Sequence, residues 1–214
     1  MATTNCYGKC FANLLGGETA GDTFAVDFLS DNIKVMLCTS SYTPNLDTHE
    51  TKADVTNEVT GTNYTAGGNL LASKTITYTA ADSWATARAN STAYALGDVV
   101  RPATGNGHLY MCVVAGTSGG SIPTWPTVSR QTVADGAVTW AEIGRGITVL
   151  DCADPSWTTA TITGIKYAVY YKDTGTAGTS PLLAVQDLDG PTNVTAGTFT
   201  IQLPTLGLFH FHTP

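Results

Sequence analysis

Four histidines, His49, His108, His210 and His212, and five cysteines, Cys6, Cys10, Cys38, Cys112 and Cys152, are the side chains best suited to hold a metal or to attack a substrate. None of the histidines sits in a nucleophile elbow or a metalloprotease helix motif. His210 and His212 are two residues apart, so on a strand they share a face and could grip an ion together. Their setting between Phe209 and Phe211 favours the other reading, the polar face of a terminal strand. Cys6 and Cys10 would supply two donors of a tetrahedral site, but no second Cys/His pair has suitable spacing to supply the rest. The odd cysteine count reads instead as reduced thiols packed as small apolar groups. Asp187-x-Asp189-Gly190 opens like a calcium loop yet lacks the downstream glutamate, which leaves a strand-ending turn. Asp151 and Asp154 lie close together beside Pro155, as turn acids do; a carboxylate pair for glycoside cleavage is not visible from sequence. The expectation is a protein with no catalytic residues, no metal and no cofactor.

Aromatic rings offer a different chemistry. Flat indole and phenol rings stack on sugar faces, with C–H groups meeting the π-cloud. Trp125 lies between Pro123 and Pro126, which prevent a regular strand and push it into a loop, so it is the leading candidate for glycan contact, with Tyr94 and Tyr110 beside it. The competing reading is core packing, because a module of about sixty residues has little else to bury. Tyr110 and Trp140 lie in alternating stretches and lean toward the core.

The elements that would position these residues are β-strands. The chain has 214 residues with 43% hydrophobic and 13% charged residues, and its polarity is carried by 37 threonines and 22 glycines. Threonine is β-branched and glycine punctuates turns, so the composition predicts an all-β chain. The charged fraction is half the ordinary value of roughly 25%, which excludes charge-driven disorder. A net charge of −7, with ten Lys and Arg and no two adjacent, argues against nucleic acid as a partner. No apolar run approaches the ~20 residues of a membrane span. The opening MATTNCYGKC has neither a basic nor an apolar leader segment, so no secretion and no membrane association are expected.

Along the chain, Phe11, Leu14 and Leu15 recur at helical spacing before Gly16-Gly17, which predicts a short N-terminal helix or arm over residues 1–30. Ile33–Cys38 alternates as a strand, with Ile33, Val35 and Leu37 on one face and Lys34 on the other. Residues 81–146 concentrate three of the four tryptophans and the turn signals Asn106-Gly107, Gly119-Gly120 and Asp135-Gly136, and read as a small inserted β module. After Gly146, six strands are expected: 147–150, 159–162, 166–171, 182–186, 198–203 and 208–211. Residues 31–80 and 147–214 together predict a discontinuous antiparallel β-sandwich. Tyr170, on the face opposite Tyr167 and Tyr171, is a candidate subunit contact, as are Phe11, Leu14 and Leu15 of the arm.

Both flanks resemble a family of tailed-bacteriophage virion proteins. The resemblance rests on Asp31–Leu37, on Ser40–His49 (SSYTPNLDTH), on Val59–Gly68 (VTGTNYTAGG), and on Trp157, Tyr167–Tyr171 and Gly207-Leu208-Phe209. It implies an accessory head component, a decoration or cement protein on the capsid surface of a particle assembled in the host cytoplasm. Its implied partners are the major capsid protein and two further copies of itself in a homotrimer. Residues 81–146 are distantly similar to chitin-binding modules through Tyr94-x-x-Gly97-Asp98-x-Val100, Leu109–Cys112, Pro123-x-Trp125 and Asp135–Trp140. That similarity keeps open a tail-associated protein whose module binds host surface polysaccharide.

Overall fold

The computed structural model describes residues 3–16 and 24–213. Over these the fold is mainly β, sandwich-like and built of several antiparallel sheets, with 47% strand and 7% helix. The first strands are β1 Thr3–Cys6, β2 Ile33–Thr39, β3 Gly61–Thr62, β4 Asn69–Leu70 and β5 Thr75–Ala80. Then come β6 Thr86–Ala87, β7 Ala93–Tyr94, β8 Val99–Arg101, β9 Leu109–Val114, β10 Gly116–Thr117, β11 Thr132–Asp135 and β12 Val138–Gly144. The last are β13 Gly146–Asp151, β14 Ser156–Lys172, β15 Leu182–Thr200 and β16 Phe209–Thr213. Two short helices, α1 Cys10–Leu14 and α2 Ala81–Trp84, complete the set together with single 3-10 turns at Lys52–Asp54 and Ala177–Thr179.

The chain divides into two compact units, one of residues 1–75 and 151–208, the other of 76–150 and 209–214. The first is organised on one sheet in the order β1-β15-β14-β2-β4, with β3 added to β14. Its axis is the β14–β15 hairpin, in register from Ser156↔Thr200 to Tyr171↔Leu182. The separate strands expected at 159–162 and 166–171 are one strand, and those expected at 182–186 and 198–203 also merge, into a strand that ends at Thr200. Gly164 (φ 74°) and the turn-like Asp189-Gly190-Pro191 do not end strands but sit where the register slips. Bulges absorb the extra residues, one beside Gly164 and three around Asp189-Gly190-Pro191, without breaking the ladder.

β2 is buried on both faces. Ile33, Val35 and Leu37 are inaccessible as the alternation predicts, but so are Met36 and Cys38 on the Lys34 side. That second face is covered by Tyr7, Tyr42 and Val55 from the unit's own loops, packed with Val169, Tyr171, Leu182 and Val185. Lys34 escapes along the same face to pair with Asp173 at 2.6 Å.

The expected N-terminal arm is not an arm over its first described residues. Thr3–Cys6 pairs with β15 from Thr3↔Asp187 to Cys6↔Ala184, and Tyr7 behind it is 1% exposed. Main-chain hydrogen bonding needs no apolar alternation, so TTNC gives no strand signal in the sequence. Residues 1–2 and 17–23 of the same stretch lie outside the described residues.

The second unit holds a five-stranded sheet, β11-β12-β9-β8-β6, the two-stranded pair β7–β10, and a three-stranded sheet, β16-β13-β5. Only β6 and β8 run parallel among the registered pairs. Its boundaries differ from those expected at 80/81 and 146/147. β13 pairs residue for residue with β16, Gly146↔Thr213 through Leu150↔Phe209, and β5 joins them, so these three strands leave the first unit. The core of this unit is Val100, Tyr110, Cys112, Val138 and Trp140, with Tyr94, Trp125 and Val133 against it.

Candidate functional site

The three candidate sugar-contact residues converge, but as a packing cluster. Trp125 is carried in the loop between β10 and β11, where its prolines put it. Its ring lies 4.3 Å, centroid to centroid, from Tyr110 and 6.2 Å from Trp140. Tyr94 meets Trp140 edge-on at 4.9 Å. Tyr110 is fully buried; its hydroxyl donates to the Pro126 carbonyl at 2.7 Å and accepts from Asn106 Nδ2 at 2.8 Å. The first of these bonds clamps the loop that carries Trp125. Tyr110 is therefore corrected from glycan contact to core. Trp125 spends one ring face on Tyr110, and Tyr94 accepts a bond from the Ala89 N–H. A small core recruits its aromatics first.

Of the candidate interface residues, Tyr170 is also corrected. It is 0% exposed within a single chain, and its hydroxyl donates to Gln186 Oε1 at 2.9 Å. The face opposite Tyr167 is thus closed by the protein itself. Phe11 on α1 (45% exposed) and Leu15 just after it (87%) reach the surface, with Leu14 half-buried.

His210 and His212 share a face of β16, as their spacing requires, with ring centroids 6.5 Å apart. Burial first, and the charge on His210 second, hold His212 below the usual histidine range, and Trp84 packs edge-on against it. Among the described residues no group of three or more His, Cys, Asp or Glu is placed to hold a metal. Asp187 pairs with Lys166 at 2.6 Å and accepts the Asp189 N–H, and the segment is a bulge inside β15 instead of the strand-ending turn expected. Asp151 and Asp154 accept the backbone N–H groups of Cys152 and Leu203. All five cysteines are free thiols. Burial pushes Cys38 and Cys152 up to about 12. Cys6 is lowered by its hydrogen bond with Cys10, which is itself raised by the same bond.

Two buried polar pairs in the second unit have no local sequence signal, since their partners lie 47 and 34 residues apart. Arg88 forks onto Asp135, and His108 Nδ1 meets Glu142 Oε1 at 2.7 Å. In the first unit, a polar cleft of about 440 Å³ opens between residues 63–69 and the start of β14. Asn63, Thr65, Asn69, Ser156, Trp157 and Thr158 line it. The sequence shows Trp157 and Asn63 only among the resemblance residues and gives Asn69 no role; the cleft forms only when the two stretches meet. Compared with protein-family models, with curated proteins and with solved structures, the chain matches none.

Proposed function

We propose that the protein is a non-enzymatic structural component of a tailed-phage virion, a capsid decoration or cement protein that binds and stabilises the assembled head and displays its aromatic-rich module. The observation that carries this reading is where the resemblance residues fall. Drawn from both flanks, all but Phe209 lie in the first unit, and they do structural work there. Gly61 and Gly68 let backbones approach; a Cβ on either would stand 2.1 Å from the Thr161 carbonyl oxygen or 1.8 Å from that of Val35. Tyr64 stacks on Trp157, donates to Glu58 and accepts the Leu37 N–H. Asn45 accepts the Asp47 and Thr48 N–H groups, and His49 joins the buried Tyr42–Tyr7 hydroxyl pair. Residues that specify a fold rather than a reaction suit a protein whose work is adhesion.

Adhesion would act through buried area. An interface of about 1,500 Å², repeated at each subunit junction, stabilises a shell without any strong single contact. The partners in this reading are the major capsid protein and copies of the protein itself, as a homotrimer at local threefold positions. The exposed Phe11 and Leu15 are the contact candidates that remain. Gel densitometry of purified particles tests the reading. Hundreds of copies per virion are expected; a dozen or fewer would move the protein to the tail as a host-recognition component, and none would overturn a virion role.

A further inference from the structure

We infer that Cys6 and Cys10 are the reduced form of a reversible intrachain disulfide, made by exchange with a small-molecule disulfide such as oxidised glutathione. The backbone brings the two thiols together. Cys6 ends β1, held in the sheet opposite Ala184, and the Tyr7 N–H extends that pairing to the Leu183 carbonyl at 3.1 Å. The chain then reverses. The Cys10 N–H closes a turn on the Tyr7 carbonyl at 2.9 Å, and α1, which Cys10 opens, lies beside the same β15. Across this turn the Cys10 thiol is hydrogen-bonded to the Cys6 sulfur. Such a bond sets two sulfurs facing each other, the arrangement from which a disulfide closes.

The two thiols differ in the way that exchange requires. Cys6 is partly exposed, and the hydrogen bond with Cys10, outweighing burial, draws it toward its thiolate. Cys10 is fully buried and is kept a thiol by the same bond and by burial. An accessible thiolate beside a resolving thiol is the usual form of a redox-active pair. The Cys6 sulfur attacks one sulfur of glutathione disulfide. A Cys6–glutathione bond forms, the glutathione S–S bond breaks, and the departing thiolate takes up a proton. Cys10 then attacks the Cys6 sulfur, and its proton goes to the second glutathione as that leaves. Two protein thiols are oxidised and one glutathione disulfide is reduced to two thiols. Cys38 cannot substitute for Cys10, because β2 is three strands from β1, about 14 Å across the sheet. The product fastens α1, which carries the exposed Phe11, to the edge strand of the sheet.

The test is incubation of the reduced full-length protein with oxidised glutathione at about pH 8, then blocking of free thiols with N-ethylmaleimide, tryptic digestion and mass spectrometry. Trypsin cuts after Lys9, between the two cysteines, so the disulfide leaves peptides 1–9 and 10–34 joined. The joined pair is expected to outnumber the Cys6–glutathione adduct about tenfold or more, because thiols held in contact have an effective concentration above that of millimolar glutathione. Dithiothreitol should separate the peptides again. In Cys10→Ser the adduct should become the product, and in Cys6→Ser the Cys10 thiol should stay unmodified, with circular dichroism checking that each variant is folded. Peptides that do not stay joined, a wild-type adduct that persists at Cys6, or linkage of Cys6 chiefly to another cysteine overturns the pair, and these readouts need no variant. Particle densitometry tests the virion role separately, so the two can fail independently.

Discussion

Arg88 and Asp135 form a forked ion pair inside the second unit, Nη2 to Oδ1 at 2.5 Å and Nε to Oδ2 at 2.8 Å, with both side chains 1% exposed. Asp135 also accepts the Trp140 indole N–H and the Gly119 N–H, and the Arg88 guanidinium reaches the carbonyls of Gly119 and Ser121. The pair therefore ties β11 to the loop after β10 and to the strand bearing the central tryptophan. Removing one partner leaves a buried charge uncompensated, so Arg88→Met and Asp135→Asn should each destabilise this unit by about 3–5 kcal/mol in urea unfolding. A loss below about 1 kcal/mol would contradict that role.

The same carboxylate sets an acid limit. Burial pushes Asp135 up, but the bonds from Arg88, Trp140 and Gly119 outweigh it and hold the folded value below the usual one. The unfolded chain then binds the proton more readily, so this contribution is full above the ordinary carboxylate value of about 3.9 and fades as pH falls below it. Acid titration of Trp140 fluorescence should show the second unit losing stability in that window, with the slope reduced in Asp135→Asn.

Trp125→Ala should cost the second unit about 2–3 kcal/mol, less than a fully buried tryptophan, because the ring is half-exposed but stacked on Tyr110. Denaturant melts check this. A variant of unchanged stability would restore Trp125 as a ring held out for a ligand.

Tyr170→Phe should lower the stability of the first unit by about 1–2 kcal/mol, by leaving Gln186 Oε1 buried without its donor. Self-association, measured by sedimentation, should not change. A shift in oligomeric state with stability intact would return Tyr170 to an interface.

Native alkylation with iodoacetamide at about pH 8 should modify Cys6 first, the one cysteine both partly exposed and drawn toward its thiolate. Cys38 and Cys152, raised to about 12 by burial, should react only on unfolding. Peptide mass spectrometry reads the order directly, and comparable labelling of Cys152 in the folded protein would contradict the burial described.

What the sequence revealed followed from signals that are local. The threonine and glycine content pointed to strands, and the alternation of Ile33, Val35 and Leu37 located β2. What it concealed was contact between distant stretches. Gly164 and Gly190-Pro191 read as turns because a bulge and a turn draw on the same residues. Thr3–Cys6 read as an arm because an edge strand can be held by backbone bonds alone. Tyr170 read as an interface because aromatics on both faces of a strand do not reveal that the chain supplies both covers. At the cleft, Trp157 and Asn63 were visible only as resemblance residues, and the hollow they line exists only where 63–69 meets 156–159.

The pairing of Thr3 with Asp187 imposes an order on synthesis. When residues 3–75 leave the ribosome, neither β14 nor β15 has been made, and at about 5–20 residues per second the missing partners take roughly 6–25 s to follow. Meanwhile the five-stranded sheet of the second unit, whose strands lie between residues 86 and 144, emerges entire and is free to close. The nascent amino-terminal stretch, carrying the apolar β2 without its neighbours, must stay soluble through that interval. Expression at lowered temperature or with a holding chaperone should accordingly raise the yield of soluble protein.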